Sequence, residues 1–385
     1  MKYKFEDIAE FNPKENIKKG TLAKKIAMEK LQPFCRDIPT YEITEFKGGT
    51  KFKNGDTIMA RITPCLENGK TAKVNILENN EIGFGSTEYI VFRAKPNILD
   101  EDFLYYLVCS SFVREPAIKS MVGSSGRQRV QIDVIKKLEL DLPLYEEQIK
   151  IGSVLKSIDD KIELNNKINK NLEQQAQAIF IKEFLCFDVI PDTWKESSLI
   201  NIANYLNGLA MQKFRPNENK NSLPVLKIRE LRQGFCDNSS DLCSANIQPK
   251  YIIKNGDVIF SWSGSLLIDF WCGEICGLNQ HLFKVTSNTY DKWFYYLWTK
   301  HHIEQFTIIA MDKATTMGHI KRNDIEKAKV IIPPKEDYLR IGAILQPIYD
   351  IIIQNRLENN KLSLLKDTLL PKLMSGEIDA SKINV

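Results

Sequence analysis

The residues best spaced for binding chemistry lie in Val122-Gly-Ser-Ser-Gly-Arg-Gln-Arg-Val-Gln131, a small-residue loop that turns basic before a helix-like IDVIKK. Hydroxyls and backbone amides at Ser124 and Ser125 suit phosphate oxygens, and Arg127, Gln128 and Arg129 suit phosphates or base edges. The matching place in the second half holds Lys313-Ala-Thr-Thr-Met-Gly-His-Ile-Lys321, which offers Thr315, Thr316, His319 and Lys321. One such loop reads equally as an ordinary surface turn; its recurrence at matched positions favours nucleic acid. Replacing Arg127 or Arg129 with Ala is expected to weaken binding alike across sequences if they touch phosphate, and to lose discrimination at one base pair if they read it.

Arg61, Lys70 and Lys73 follow a turn and strand in the first half, while Lys227, Arg229 and Arg232 precede the equivalent turn in the second. They fit phosphate contacts or a solvated strand edge. Hydrogen-bonding tips recur too. Thr63 sits in Ile62-Thr-Pro64, near Ser86-Thr-Glu88 in kind. The second half has Ser261 and Ser263 in Ser261-Trp-Ser-Gly-Ser265, and Asn279 and Gln280 in Asn279-Gln-His281. Trp262 and Trp271 read equally as core, and the pairs Tyr105–Tyr106 and Tyr295–Tyr296 read as core.

Catalytic chemistry is harder to find. The only Pro-Pro, Ile332-Pro-Pro-Lys335, lacks the amide or carboxylate that an amino-methyltransferase needs to grip a base. No Gly-rich nucleotide turn or GxxxxGK[ST] occurs, and no Ser, Cys or His constellation suits a nucleophile. The acid pairs Glu146–Glu147 and Asp159–Asp160 fall on helical stretches, where a solvated face is the expected role. Cys272 and Cys276 have no second pair at zinc spacing, so the eight cysteines read as thiols in a reducing compartment and no metal is expected. Net charge is +4, which permits a nucleic-acid partner only if the basic residues cluster. No apolar run reaches membrane-spanning length and MKYKFEDIAEF lacks a signal core, so a cytoplasmic protein without membrane association is expected.

The elements that must carry these residues come in duplicate. Residues 142–184 slide by 190 onto 332–374, with 11 identities in the first 31 positions. Apolar residues at 151, 155, 158, 162, 172 and 179 follow a helical seam. Two seam positions, Asn165 and Asn169, are polar and recur as Asn355 and Asn359; a polar seam residue weakens packing but fixes register and partner. Ser157-Ile-Asp-Asp reads as a capping box and Pro347 disfavours helix at Gln346, so each copy is expected to break near 156–157 and 346–347. A helix of roughly 28 residues, about 40 Å long, would follow each break.

The matter between repeats in outline only. The predicted strands at 57–62, 72–76 and 89–93 and helix at 101–110 have partial echoes. Phe52-Lys-Asn-Gly-Asp-Thr-Ile58 matches Ile253-Lys-Asn-Gly-Asp-Val-Ile259, and Asp102-Phe-Leu-Tyr-Tyr-Leu107 matches Lys292-Trp-Phe-Tyr-Tyr-Leu297. Between them RITPCLENGKTAKV faces SWSGSLLIDFWCGE, so one scaffold carries two different faces. The expected domains are 1–143 and 186–333 as recognition units, 144–185 and 334–378 as helical spacers, and 379–385 as a tail.

LPLYEEQIKIGSVLKSID with PPKEDYLRIGAILQPIYD, the Pro191-Asp-Thr-Trp194 opening of the second unit, the paired NGD turns and the closing LLPKLMSGEI are similar to the specificity subunit of a Type I restriction-modification system. The resemblance covers essentially the whole chain, although the first unit opens on Tyr3-Lys-Phe5 without the Trp. It implies an α+β fold: two mixed α/β target recognition domains separated by two long antiparallel coiled-coil helices, an internal tandem repeat with pseudo-two-fold symmetry. Each domain would read one half of a bipartite, asymmetric double-stranded DNA target, and the helices would set the gap and dock two methyltransferase subunits. No cofactor is implied in this chain; S-adenosylmethionine, ATP and Mg belong with methyltransferase and restriction subunits, so the chain itself is expected to be non-catalytic. A specificity subunit of a Type IIB-like or methylation-only system remains open, as does a coiled-coil protein-interaction scaffold, which would show no salt-dependent duplex binding. A self-sufficient enzyme would cleave or methylate alone.

Overall fold

The computed structural model describes residues 2–124, 126–216, 221–312 and 320–383. The duplicated Asn-Gly-Asp turns set its frame. Gly55 and Gly256 take φ of 89° and 78°, a left-handed conformation that glycine adopts without steric cost. The Asp that follows closes each turn, Asp56 accepting from the Lys53 amide (2.9 Å) and Asp257 from the Lys254 amide (2.8 Å). Each turn launches a fully buried strand, Thr57–Ala60 and Val258–Ser261.

The chain divides into two units, Met1–Glu163 with Lys361–Val385, and Leu164–Asn360. In the first, Ala9–Phe11, Tyr89–Ala94, Thr57–Ala60 and Thr71–Lys73 form an antiparallel sheet in that order. A second sheet runs Glu42–Glu45, Leu22–Ile26, Gly83–Gly85, Thr50–Phe52, with its middle pair parallel. Lys2–Lys4 pairs separately with Glu139–Asp141. The other unit repeats all three arrangements. Its sheets run Asn204–Asn207, Leu282–Thr286, Val258–Ser261, Leu267–Phe270 and Leu242–Ser244, Ser222–Leu226, Cys276–Leu278, Ile252–Ile253, again with the middle pair of the second parallel. Lys195–Ser198 pairs with Lys329–Ile332. Mixed α/β units of one topology therefore occur twice.

Each unit packs an aromatic helix on the first of its two four-stranded sheets. Tyr105 and Tyr106 of Glu101–Cys109, and Tyr295 and Tyr296 of Lys292–His301, are buried, as is Trp271. The first core joins Phe103, Leu104 and Leu107 to Ile151, Val154 and Leu155 and to Leu373 and Met374. The second joins Trp293, Phe294 and Leu297 to Ile341, Leu345 and Ile348 and to Ala176 and Phe180.

Those last residues lie on two long helices, Tyr145–Phe180 and Lys335–Met374, and neither breaks where the sequence suggests. Ser157 opens no cap; its hydroxyl donates back to the Val154 carbonyl (2.7 Å) inside the helix. Pro347 costs about 3 kcal/mol in a helix interior. Around it Ile341, Leu345, Ile348, Tyr349 and Ile352 are buried, each worth roughly 1.5–3 kcal/mol, so packing wins. At 36 and 40 residues the helices are about 54 and 60 Å long.

The acid pair at 159–160 is a second correction. Asp159 is buried, accepting from the Tyr106 hydroxyl (2.8 Å) and from Lys366 Nζ (2.6 Å). Asp160 pairs with Lys156 and with Arg36 Nη2 (2.6 Å), a guanidinium whose side chain is only 5% exposed. The solvated-face expectation is thus overturned for Asp159, whereas Asp160, 44% exposed, keeps one side in solvent while it meets the buried Arg36. In the other unit Arg356 does similar work, donating to Asp269 (2.6 Å) and Glu173 (2.9 Å). Removing one partner of a buried pair strands the other, so Asp159→Ala is expected to cost about 3–5 kcal/mol. Glu196→Ala, which opens the exposed 3.3 Å pair with Lys329, is expected to cost under about 1 kcal/mol. Denaturant midpoints of the two variants check the contrast, and equal midpoints would contradict it.

Candidate nucleic-acid interface

The basic loop of the first unit is not a free turn. Val122 and Arg129 pair across its base, and Arg129 also bridges Ile62. The Thr63 amide donates to the Gln128 carbonyl (3.0 Å) and the Val130 amide to the Arg61 carbonyl (2.9 Å). The loop is thus stitched to the chain leaving strand Thr57–Ala60. From the other side the Arg61 amide donates to the Glu88 carbonyl (2.9 Å). Three backbone segments meet at one tip and gather Arg61, Thr63, Glu88, Gln128 and Arg129.

The side chains there are charged and partly ordered by one another. Arg129 Nε lies 3.0 Å from both Glu88 oxygens and its Nη2 2.6 Å from one. That contact, with Arg61 beside it, holds the Glu88 carboxyl below its usual range, and Arg129 is raised by the same contact. Arg61 Nε is 3.9 Å from Glu88, too long for a hydrogen bond, and it and Thr63 Oγ1 are buried donors without a partner. Arg127 and Ser124 face solvent. Lys70, by contrast, spends its ammonium on the Met28 carbonyl (2.9 Å), and Lys73 on Asp102 (2.5 Å). Ser125, Thr315, Thr316 and His319 lie outside the described residues.

The second unit builds the same tip with other side chains. The Ile320 amide donates to the Trp262 carbonyl (3.1 Å), as that of Val130 does to Arg61. The turn before Leu282–Thr286 is closed by Asn279 Oδ1 accepting from the His281 amide (3.2 Å), as Ser86 Oγ accepts from that of Glu88 (3.1 Å). Ala60 pairs with Tyr89 and Ser261 with Leu282, so Arg61 and Glu88 in one unit correspond to Trp262 and His281 in the other.

Ser261, Ser263 and Asn279, expected as contact residues, are buried here. Ser261 Oγ donates to the Ser263 carbonyl (3.2 Å), and Ser263 Oγ meets His281 Nδ1 (3.2 Å). They shape the tip, and the groups it offers to solvent are His281, Gln280 and the half-buried Trp262. Beside it opens a cavity of about 1050 Å3 lined by Tyr205, Asn207, Trp262, Phe283, Lys321 and Arg322 among others. Lys321 is exposed at its rim.

Lys227 and Arg229 are held by acids rather than left open. Lys227 meets Asp241, while Arg229 reaches Glu230 (2.7 Å), Asp237 (3.1 Å) and Ser239 (2.6 Å). The Ser239 hydroxyl and amide, with Arg229, lower the Asp237 carboxyl to about 2. Arg232 is exposed.

Glu88, His281 and Trp262 are tip positions that residue type alone did not select as candidates. Their signal was present in the matched turns Ser86-Thr-Glu88 and Asn279-Gln-His281. Among the described residues, no group of three or more His, Cys, Asp or Glu is placed to hold a metal ion, and no helix is long and apolar enough to cross a membrane.

Comparison with known proteins places this architecture. Residues 1–174 and 191–364 each match the family model described as Type I restriction modification DNA specificity domain. The chain is 28% identical over 315 residues to the Type I restriction enzyme MjaIX specificity subunit of Methanocaldococcus jannaschii, covering 74% of this chain and 72% of the relative. Against the HindI specificity subunit of Haemophilus influenzae it is 23% identical over 404 residues, covering 85% and 87%. The crystal structure of a Type I restriction-modification S subunit from M. genitalium superposes with a TM-score of 0.58 at 16% identity, covering 97% of this chain and 95% of that one, a likeness of fold.

The acid cage around Arg229 predicts a division between basic residues in the second unit. Arg229→Ala should loosen the 237–241 turn, read as faster local proteolysis, and change duplex affinity less than Arg232→Ala does. The reverse ranking would assign Arg229 to the interface.

Proposed function

Because the chain belongs to the Type I restriction-modification DNA specificity family, its two halves each matching the domain, we propose that its two strand tips are the base-reading ends of two target recognition domains, each serving one half of a bipartite, asymmetric DNA site. The observation that carries this is one backbone tip built twice with different side chains: Arg61, Glu88 and Arg129 in one unit, Trp262, Gln280 and His281 in the other. A fixed scaffold with exchanged tip chemistry is what reading two unrelated sequences requires. The recognition domains run over 1–143 and 186–333, with spacers at 144–185 and 334–378 and a short tail.

The long helices act in this reading as an antiparallel coiled-coil spacer with pseudo-two-fold symmetry. Hydrogen bonds inside the second unit support it: Asn165 Nδ2 to Asn359 Oδ1 and Asn355 Nδ2 to Asn169 Oδ1, both 2.9 Å, so one helix ascends as the other descends. Lys366 to Asp159 in the first unit keeps the same sense. The paired amides would hold register at some cost in packing. Two methyltransferase subunits dock on the spacers, and restriction subunits join them. Those partners supply S-adenosylmethionine, ATP and Mg and the bond chemistry; this chain, cytoplasmic with its DNA, supplies the address. Engaging one half-site raises the effective concentration at the other, so two modest contacts give a selective whole.

Mapping modified bases in DNA exposed to the assembled methyltransferase tests the reading. Two short half-sites at one constant separation are expected; a single uninterrupted motif, or no duplex binding that weakens with salt, overturns it. Arg127→Ala, which removes an exposed guanidinium, should weaken binding about equally for all sequences and lower the salt slope by about 1. A sequence-selective loss would assign Arg127 to base readout.

A further inference from the structure

The Arg129–Glu88 contact is the most ordered polar group on the first tip, and its geometry bears on what Arg129 does. A guanidinium that neutralises phosphate gains little from a carboxylate held against it, because the acid cancels its charge and repels the backbone. A guanidinium that must reach a base edge gains from being held, since bidentate readout needs its planar fork in one orientation. Glu88 grips Arg129 through Nε and Nη2, at 2.6 to 3.0 Å, which leaves Nη1 and the outer edge of the fork outside that contact. The Arg129 side chain is 43% exposed, against 24% for Glu88. Glu88 itself is fixed by the turn in which Ser86 Oγ accepts from its amide, and by its carbonyl accepting from Arg61.

We infer that Glu88 is a positioning residue that orients Arg129 to read a guanine in the half-site served by the first unit, a step that rests on the recognition reading above. Among the described residues the second unit shows no such ion pair at the corresponding place. There His281 takes the Glu88 position, braced by Ser263 and lying 6.1 Å from the Trp262 ring. An imidazole and an indole thus stand where the first unit has Glu88 and Arg61. The exchange at 88/281 and 61/262 makes these the positions at which the two halves of the target differ in chemistry.

The test is the methylated motif itself, taken from the complete methyltransferase assembled with the wild-type chain, with Arg129→Ala and with Glu88→Ala. Both variants should lose preference at the same G·C pair of one half-site, by roughly ten- to a hundred-fold, while the other half-site stays as in the wild type. Glu88→Ala should also bind random duplex more tightly, because it releases a guanidinium and removes a negative charge. An altered stability alone would lower methylation at every site without changing the motif, so the unaffected half-site serves as the internal control. Should Glu88→Ala prevent assembly, Arg129→Ala decides. An unchanged motif in Arg129→Ala, relaxation at an A·T pair, or relaxation by the two variants at different pairs overturns the inference. A wild-type assembly with no bipartite motif overturns instead the recognition reading beneath it.

Discussion

The tip of each unit depends on a backbone hydrogen bond that both units make: Val130 to Arg61, and Ile320 to Trp262. Each joins a residue late in its unit to the end of a strand that comes far earlier in the chain. Without that bond the tip would be two independent surface loops, each with the entropy of several free residues. With it, residues 61 and 88, already opposite one another through strand pairing, gain Arg129 as a third neighbour. The bond uses only main-chain atoms and so survives any exchange of side chains. That is why the same fold holds arginine and glutamate in one unit and tryptophan and histidine in the other.

The long helices meet a different constraint. Their contacts mix buried apolar residues with groups that are costly to bury, Asp159, Asn165 and Asn169 among them. An apolar seam would pack better, because a buried ion pair seldom gains more than a hydrophobic replacement. It would also slide, since Leu and Ile accept several registers. Amides that answer amides, as Asn355 does Asn169 at 2.9 Å, are satisfied in one register only. In the spacer role proposed above a fixed distance matters, and there stability is given up for register. Pro347 shows the opposite balance: a local penalty tolerated because the surrounding side chains are well buried.

Much of the scaffold was legible in the sequence because it depends on short-range rules. The Asn-Gly-Asp turns, the buried strands behind them and the aromatic helices follow from glycine's left-handed φ and from apolar spacing. The second sheet of each unit was not legible. Its strands are two to five residues long, and Leu22–Ile26 and Ser222–Leu226 pair in parallel with segments about 50 to 60 residues away, which no local pattern announces. The helix breaks were misread for the same reason, since local signals at Ser157 and Pro347 yielded to burial supplied by distant residues. At the tips the fold gathers Arg61 and Arg129 and leaves Arg127 in solvent, while Lys70 and Lys227 are held by a carbonyl and an aspartate. Residue type does not separate these cases, because a lysine near a carbonyl or an aspartate looks like any other lysine until the fold brings the acceptor to it.

Charge pairing therefore sorts the basic residues better than charge count does. A net charge of +4 over 385 residues says little about where a polyanion would lie. Ion pairs hold Lys73, Lys227, Arg229 and Arg356, each against acids of its own unit. Among the other basic candidates, Arg127, Arg232 and Lys321 are in the open and Arg129 is restrained by Glu88. Binding driven mainly by long-range attraction needs many unpaired cations spread over one face. In the reading proposed above, affinity comes instead from two sites joined by a spacer, and selectivity from oriented side chains such as Arg129.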